Sequence, residues 1–111
     1  MPIRLEKPWI DFSSANLGGI ACHLGVYQLG TEEEIVYIGV ADARSRFGLK
    51  GELESWSNDF SLKFDRFRIE INMAYRTRHL ELLQVFYSDY GRLPVGNLDV
   101  DVSSLGQLRP G

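Results

Sequence analysis

The chain has 111 residues, enough for one hydrophobic core and too few for a recognition module beside it. Its 44% hydrophobic and 24% charged content, with six Phe, five Tyr and two Trp, is that of a globular domain and argues against disorder except at the ends. A net charge of −3 argues against strong nonspecific binding to nucleic acid, and no stretch reaches the ~18 apolar residues of a membrane span. The first residues lack the apolar run of a signal peptide, so a cytoplasmic location is expected, with no membrane partner. The single cysteine, Cys22, excludes an internal disulfide and reads as a small buried residue.

Residues 1–23 carry Pro, Ser and Gly signals without a sustained period and read as an irregular lead-in, tied down by Trp9, Ile10 and Phe12. His23 follows as a loop histidine. Leu24–Leu29 and Ile35–Val40 are β-branched and aromatic runs separated by Gly30–Glu34, a break of hairpin length, which makes them antiparallel neighbours. From Ala43 to Trp56, Leu49, Leu53 and Trp56 fall at i, i+4 and i+7, a helical stripe with glycines at 48 and 51 that predict a break in its middle. Arg66–Asn72 alternates polar and apolar residues without a fault, as a strand with one buried face requires. An amphipathic helix then runs from about Ala74 to Tyr90, with Leu83, Phe86, Tyr87 and Tyr90 on one stripe and Gly91 as a left-handed stop. Residues 98–111 read as a tail. The reading is thus an α+β domain over 24–97, order β-β-α-β-α, with a three-stranded, mainly antiparallel sheet flanked by helices. Acid gathers at 32–34, at Glu52 and Glu54, and at Asp99 and Asp101; Lys63, Arg66, Arg68, Arg76 and Arg78 suggest one locally basic face.

Gly25-Val26-Tyr27 and Tyr37-Ile38-Gly39 lie on consecutive strands with their tyrosines ten residues apart. The pair resembles the two motifs of the GIY-YIG nuclease superfamily, whose core is similarly a three-stranded sheet entered by a hairpin and packed with helices. The resemblance covers residues 24–97 and implies a metal-dependent endonuclease acting on nucleic acid, DNA ahead of RNA, with Mg2+ or Mn2+. It implies that Tyr27 accepts a proton or positions water, with Tyr37 as its partner in the site. Arg44 or Arg46 would contact the scissile phosphate, an acid on the last helix would hold the metal, and Asn97 would support the arrangement. Such chemistry needs an aligned water, a proton acceptor, and positive charge where negative charge builds.

For the metal ligand two readings stay open. Glu81 is the only acid on the last helix before Asp89, but its helical phase points it nearly opposite Leu83, towards a pairing with Arg78 at i−3. Aligning the helix by its Leu82-Leu83 pair places His79 at the ligand position instead, a softer donor without negative charge. The family's lysine after the second motif is replaced by Val40-Ala41. These departures leave a second expectation, a catalytically inactive binding or assembly module on the same scaffold. A third expectation is a catalytic domain that borrows DNA affinity from a protein partner or a homodimer, since so short a chain has no recognition domain.

Overall fold

The computed structural model describes residues 4–100. Four strands, β1 (Ile10–Asp11), β2 (Gly25–Gly30), β3 (Ile35–Ala41) and β4 (Arg66–Ile71), form one antiparallel sheet in the order β1-β4-β2-β3. Three helices, α1 (Ser14–Gly18), α2 (Gly48–Trp56) and α3 (Tyr75–Tyr90), and a 3-10 turn at Val95–Asn97 complete the fold. The protein is therefore a small α+β domain with a four-stranded sheet.

The central strand, β2, is buried along its whole length, so both of its faces must be covered. Val26 packs with Ile38, Leu82, Leu83 and Phe86 beneath α3. Tyr27 and Leu29, one residue on in the pleat, pack with Leu49, Leu53 and Phe67 beneath α2. The sheet thus separates two apolar layers, and whatever α2 carries lies on the opposite face from whatever α3 carries.

The three expected strands lie where the alternation placed them, and the structure corrects their number. The fourth, β1, comes from the segment read as an irregular lead-in: Ile10 pairs with Phe67, Asp11 with Arg66, and the Phe12 N–H reaches the Asp65 carbonyl at 2.9 Å. Phe12 is held edge-on between Phe64 and Phe67. A two-residue strand beside Pro8 has no period to read. Helix α1, of five residues, is equally short; Ser13 caps it by accepting the Asn16 N–H.

The second helix also differs from expectation. It begins at Gly48 rather than near Ala43, and residues 42–47 form a turn ending in Phe47 (φ 65°) and Gly48 (φ 57°). The glycines build the start of the helix instead of breaking its middle: a Cβ on Gly51 would lie 2.0 Å from the Arg46 carbonyl oxygen. Helix α3 ends as expected at Gly91, in the left-handed region with its N–H on the Tyr87 carbonyl. Its buried stripe is centred on Leu82, Leu83, Val85 and Phe86, whereas Tyr87 and Tyr90 are exposed. Cys22 is exposed rather than buried. Two of the five residues of the expected basic face are paired with acids: Arg66 with Asp65, and Arg78 with Glu70 and Glu81. Of the expected tail, residues 101–111 lie outside the described residues.

Candidate functional site: a tyrosine pair around Glu52

The antiparallel register places Tyr27 directly opposite Gly39, so the tyrosine of the first motif faces the glycine of the second. Without a side chain at 39 the outer end of the Tyr27 ring packs against that backbone; a Cβ there would stand 2.2 Å from the ring carbon bearing the hydroxyl. Tyr37 approaches from the same face, its ring centroid 5.9 Å from that of Tyr27 and 5.0 Å from Trp56. The two motif tyrosines therefore do come together, and α2 closes over them.

Helix α2 delivers two polar groups to that contact. Trp56 donates its indole N–H to the Tyr27 hydroxyl at 3.0 Å, and the Tyr27 hydroxyl donates to Glu52 Oε1 at 3.3 Å. The other carboxylate oxygen, Oε2, lies 3.3 Å from the Ser45 hydroxyl. Ser45 Oγ also accepts the Asp42 N–H at 3.1 Å and lies 3.5 Å from Asp42 Oδ1, so its single proton serves one carboxylate at a time. Tyr27 is 1% exposed, and burial, the largest influence, pushes its phenol far above the ordinary value; the neighbouring Tyr37 and Glu52 add to this and the Trp56 bond opposes it. At neutral pH Tyr27 is a fixed, neutral donor. Tyr37 is raised for the same first reason.

The remaining residues expected at the site are placed as follows. Arg44 and Arg46 lie on the turn before α2, not on the helix, and both are exposed. Arg44 is linked to Asp42 only through its backbone N–H, and the Arg46 guanidinium lies 5.9 Å from the Phe47 ring. They flank Ser45 in sequence. Asn97 is buried and bonded at both ends of its amide: it accepts the Ile38 N–H at 2.8 Å and donates to the Ile38 carbonyl at 3.0 Å, filling the open edge of β3 as another strand would. His79 Nε2 lies 3.1 Å from that same carbonyl. Glu81 lies beside Arg78, which also binds Glu70 Oε2 at 2.8 Å. Glu81 and His79 thus stand on α3, on the far face and at the edge of the sheet, and the carboxylate at the tyrosine hydroxyl is Glu52.

Glu52, which the sequence shows only as one of several places where acid gathers, carries a further signal. It falls three residues after Leu49 and four before Trp56, inside the apolar stripe of α2 rather than opposite it. An acid within such a stripe faces the core and calls for a partner, which Tyr27 and Ser45 supply.

Burial holds the His79 imidazole below its ordinary pKa, with the Ile38 carbonyl opposing the shift. A depressed histidine favours the folded state while neutral, so this contribution is complete above about pH 6.5 and is lost as pH falls through the lower folded value. We expect urea midpoints to drop from pH 7 to pH 5, and the drop to shrink in His79→Gln; equal slopes in the two proteins would contradict the assignment.

Among the described residues no group of three or more His, Cys, Asp or Glu side chains is arranged to hold a metal, and no helix is long and apolar enough to cross a membrane. Glu52, Ser45 and Asp42 bring together oxygen donors only, two of the three being carboxylates.

Fold and site together define a compact α+β domain in which a tyrosine pair, a tryptophan and a half-buried carboxylate meet on one sheet face. The chain belongs to the DUF7508 family, a domain of unknown function whose family model matches residues 1–89. That span takes in the whole tyrosine site and nearly all of α3, and stops short of Asn97. No curated protein and no solved structure matches the chain.

Proposed function

We propose that this domain is a GIY-YIG-type phosphodiesterase acting on nucleic acid with a divalent metal, and that Glu52, not Glu81 or His79, is its working carboxylate. One observation carries the reading: the Glu52 carboxylate meets the Tyr27 hydroxyl beside Tyr37, with exposed Arg44 and Arg46 on either side of Ser45. Mg2+ or Mn2+, held by Glu52 and Asp42, would stabilise the negative charge that builds on a phosphoryl oxygen. Arg44 and Arg46, on a solvent-facing turn, would bind the phosphate. Tyr27, neutral and held by two hydrogen bonds, orients Glu52 for the metal rather than accepting a proton itself.

Supercoiled plasmid, then single-stranded DNA and RNA of equal length, incubated with the wild type and Mg2+ or Mn2+ tests this. We expect cleavage that Glu52→Gln lowers by about 100-fold or more, whereas Glu81→Gln stays within about threefold of wild type. The amide keeps an oxygen acceptor for Tyr27, so thermal midpoints should stay close. Wild-type-like cutting by Glu52→Gln would reject the assignment.

The alternative, an inactive binding or assembly module, is favoured by the burial of Tyr27 and by the internal bonds of Glu81, His79 and Asn97. It predicts no cleavage of any substrate in either metal, together with DNA binding that weakens when Arg44 and Arg46 are both replaced by Gln.

A further inference from the structure

On the α3 face, away from the tyrosine pair, a cleft of ≈ 160 Å³ lies between helix and sheet, walled by Ile38, Leu82, Val85 and Phe86. Its polar side is Gln28 and Arg68, which face each other across β2 and β4. Arg68 Nε donates to Gln28 Oε1 at 2.7 Å, and the guanidinium stacks 4.2 Å from the Trp9 ring centroid. Its remaining bond is a 3.4 Å contact from Nη1 to the Lys7 carbonyl.

Two features of this corner lack an internal explanation. Arg68 is half-buried, and desolvation pulls its pKa down against the opposing charge of Glu6; among the described residues no carboxylate, Glu6 included, lies within ion-pair distance of it. A guanidinium removed from water is normally matched by an anion. Gln28 is 3% exposed and lines the cleft, and its amide nitrogen, which has no hydrogen-bond partner among the described residues, is not closed off from solvent and is free to donate to a ligand. Two donors therefore converge on one end of an apolar cleft. At the rim Asp89 is held by Arg4 through two bonds of 2.9 and 2.6 Å, so its charge is matched before any ligand arrives. The volume is close to that of cavities of about 150 Å³ that accept benzene, and it is too small for a nucleotide. The apolar walls argue against a free inorganic anion.

We propose that this cleft binds a small monocarboxylate with a benzene-sized or short aliphatic body, its carboxylate accepting hydrogen bonds from Arg68 and Gln28 and its body lying against Leu82 and Phe86. The site is independent of the tyrosine pair, so it stands whether or not the domain cleaves nucleic acid.

Benzoate, with benzyl alcohol as its uncharged counterpart, is the probe, titrated into the full chain and followed by amide chemical shifts. Saturable shifts are expected at Gln28, Arg68, Leu82 and Phe86, with benzyl alcohol weaker by about tenfold, because the bonds to charged groups are lost. Arg68→Gln should weaken benzoate by about tenfold, and Arg68→Lys, which keeps the charge without the planar fork, should fall between the two. Equal binding of benzoate and benzyl alcohol by the wild type, shifts confined to other regions, or no saturation at millimolar benzoate would overturn the proposal. The wild-type comparison decides it even if Arg68→Gln fails to fold.

Discussion

Gly39→Ala is expected to lower the stability of the domain by about 3 kcal/mol, at the upper end of what overpacking a core costs. The new Cβ would stand 2.2 Å from Tyr27 Cζ and 2.5 Å from both Cε1 and the hydroxyl oxygen. Ordinary contacts begin near 3.4 Å, so the ring must move by roughly an ångström. It has nowhere to go: Trp56 and Glu52 hold its hydroxyl, and Leu29, Leu49 and Leu53 share its buried layer. For a domain of this size the loss corresponds to a fall of roughly 10–20 °C in thermal midpoint. Trimming the ring in Gly39→Ala/Tyr27→Leu should recover part of it, so the two substitutions should be strongly non-additive. A Gly39→Ala variant within about 1 kcal/mol of wild type would show that the ring is not pinned against this strand.

Arg78→Met is expected to cost about 3 kcal/mol at neutral pH, because it strips the partner from Glu70, a carboxylate that the fold has largely removed from water. Arg78 is 8% exposed; its guanidinium contacts Glu81 on its own helix and reaches both oxygens of Glu70 on β4, at 2.8 and 3.3 Å, clamping α3 to the sheet. Burial alone would raise the Glu70 pKa, but the bonds from Arg78 and Asn72 together hold it below its ordinary 4.5. A carboxylate with a depressed pKa stabilises the fold fully above pH 4.5, and that contribution is lost as pH falls through the folded value. In Arg78→Met the same burial acts without the cation, so the deficit should be largest near pH 7 and shrink towards pH 4. Glu70→Gln/Arg78→Met should recover much of the loss at pH 7. Urea denaturation at the two pH values checks this, and a pH-independent deficit would indicate lost packing rather than lost charge pairing.

The sequence exposed most of the sheet because its signals there are local. Alternation from Arg66 to Asn72 and the break between Leu29 and Ile35 needed no tertiary knowledge to place β4 and the β2–β3 hairpin. The two-residue β1 was hidden because its pairing depends on Phe67 and Asp65, more than fifty residues away. The start of α2 was misjudged because Gly48 is used for its positive φ rather than tolerated inside a helix, a distinction visible only in the backbone.

The candidate site was legible in part, and the division has a physical cause. The tyrosines were singled out by the resemblance of the two motifs that carry them, and their meeting follows from the hairpin, whose register sets Tyr27 opposite Gly39. Helical phase correctly separated Glu81 from the core face of α3 and paired it with Arg78. Which face of the sheet each helix covers is a tertiary fact without a local signal. The resemblance therefore points to an acid on α3, although α2 is the helix over the tyrosines and Glu52 the carboxylate at the Tyr27 hydroxyl.

The central claim, that a divalent ion is held at Glu52 beside the tyrosine pair and not on α3, can be tested without any substrate. Substoichiometric Mn2+ titrated into the 15N-labelled chain broadens the amide resonances nearest the ion. The account predicts early broadening of Asp42, Ser45 and Glu52, abolished in Glu52→Gln and unchanged in Glu81→Gln. Broadening that begins instead at Arg78–Leu82, survives Glu52→Gln and disappears in Glu81→Gln or His79→Gln would contradict it.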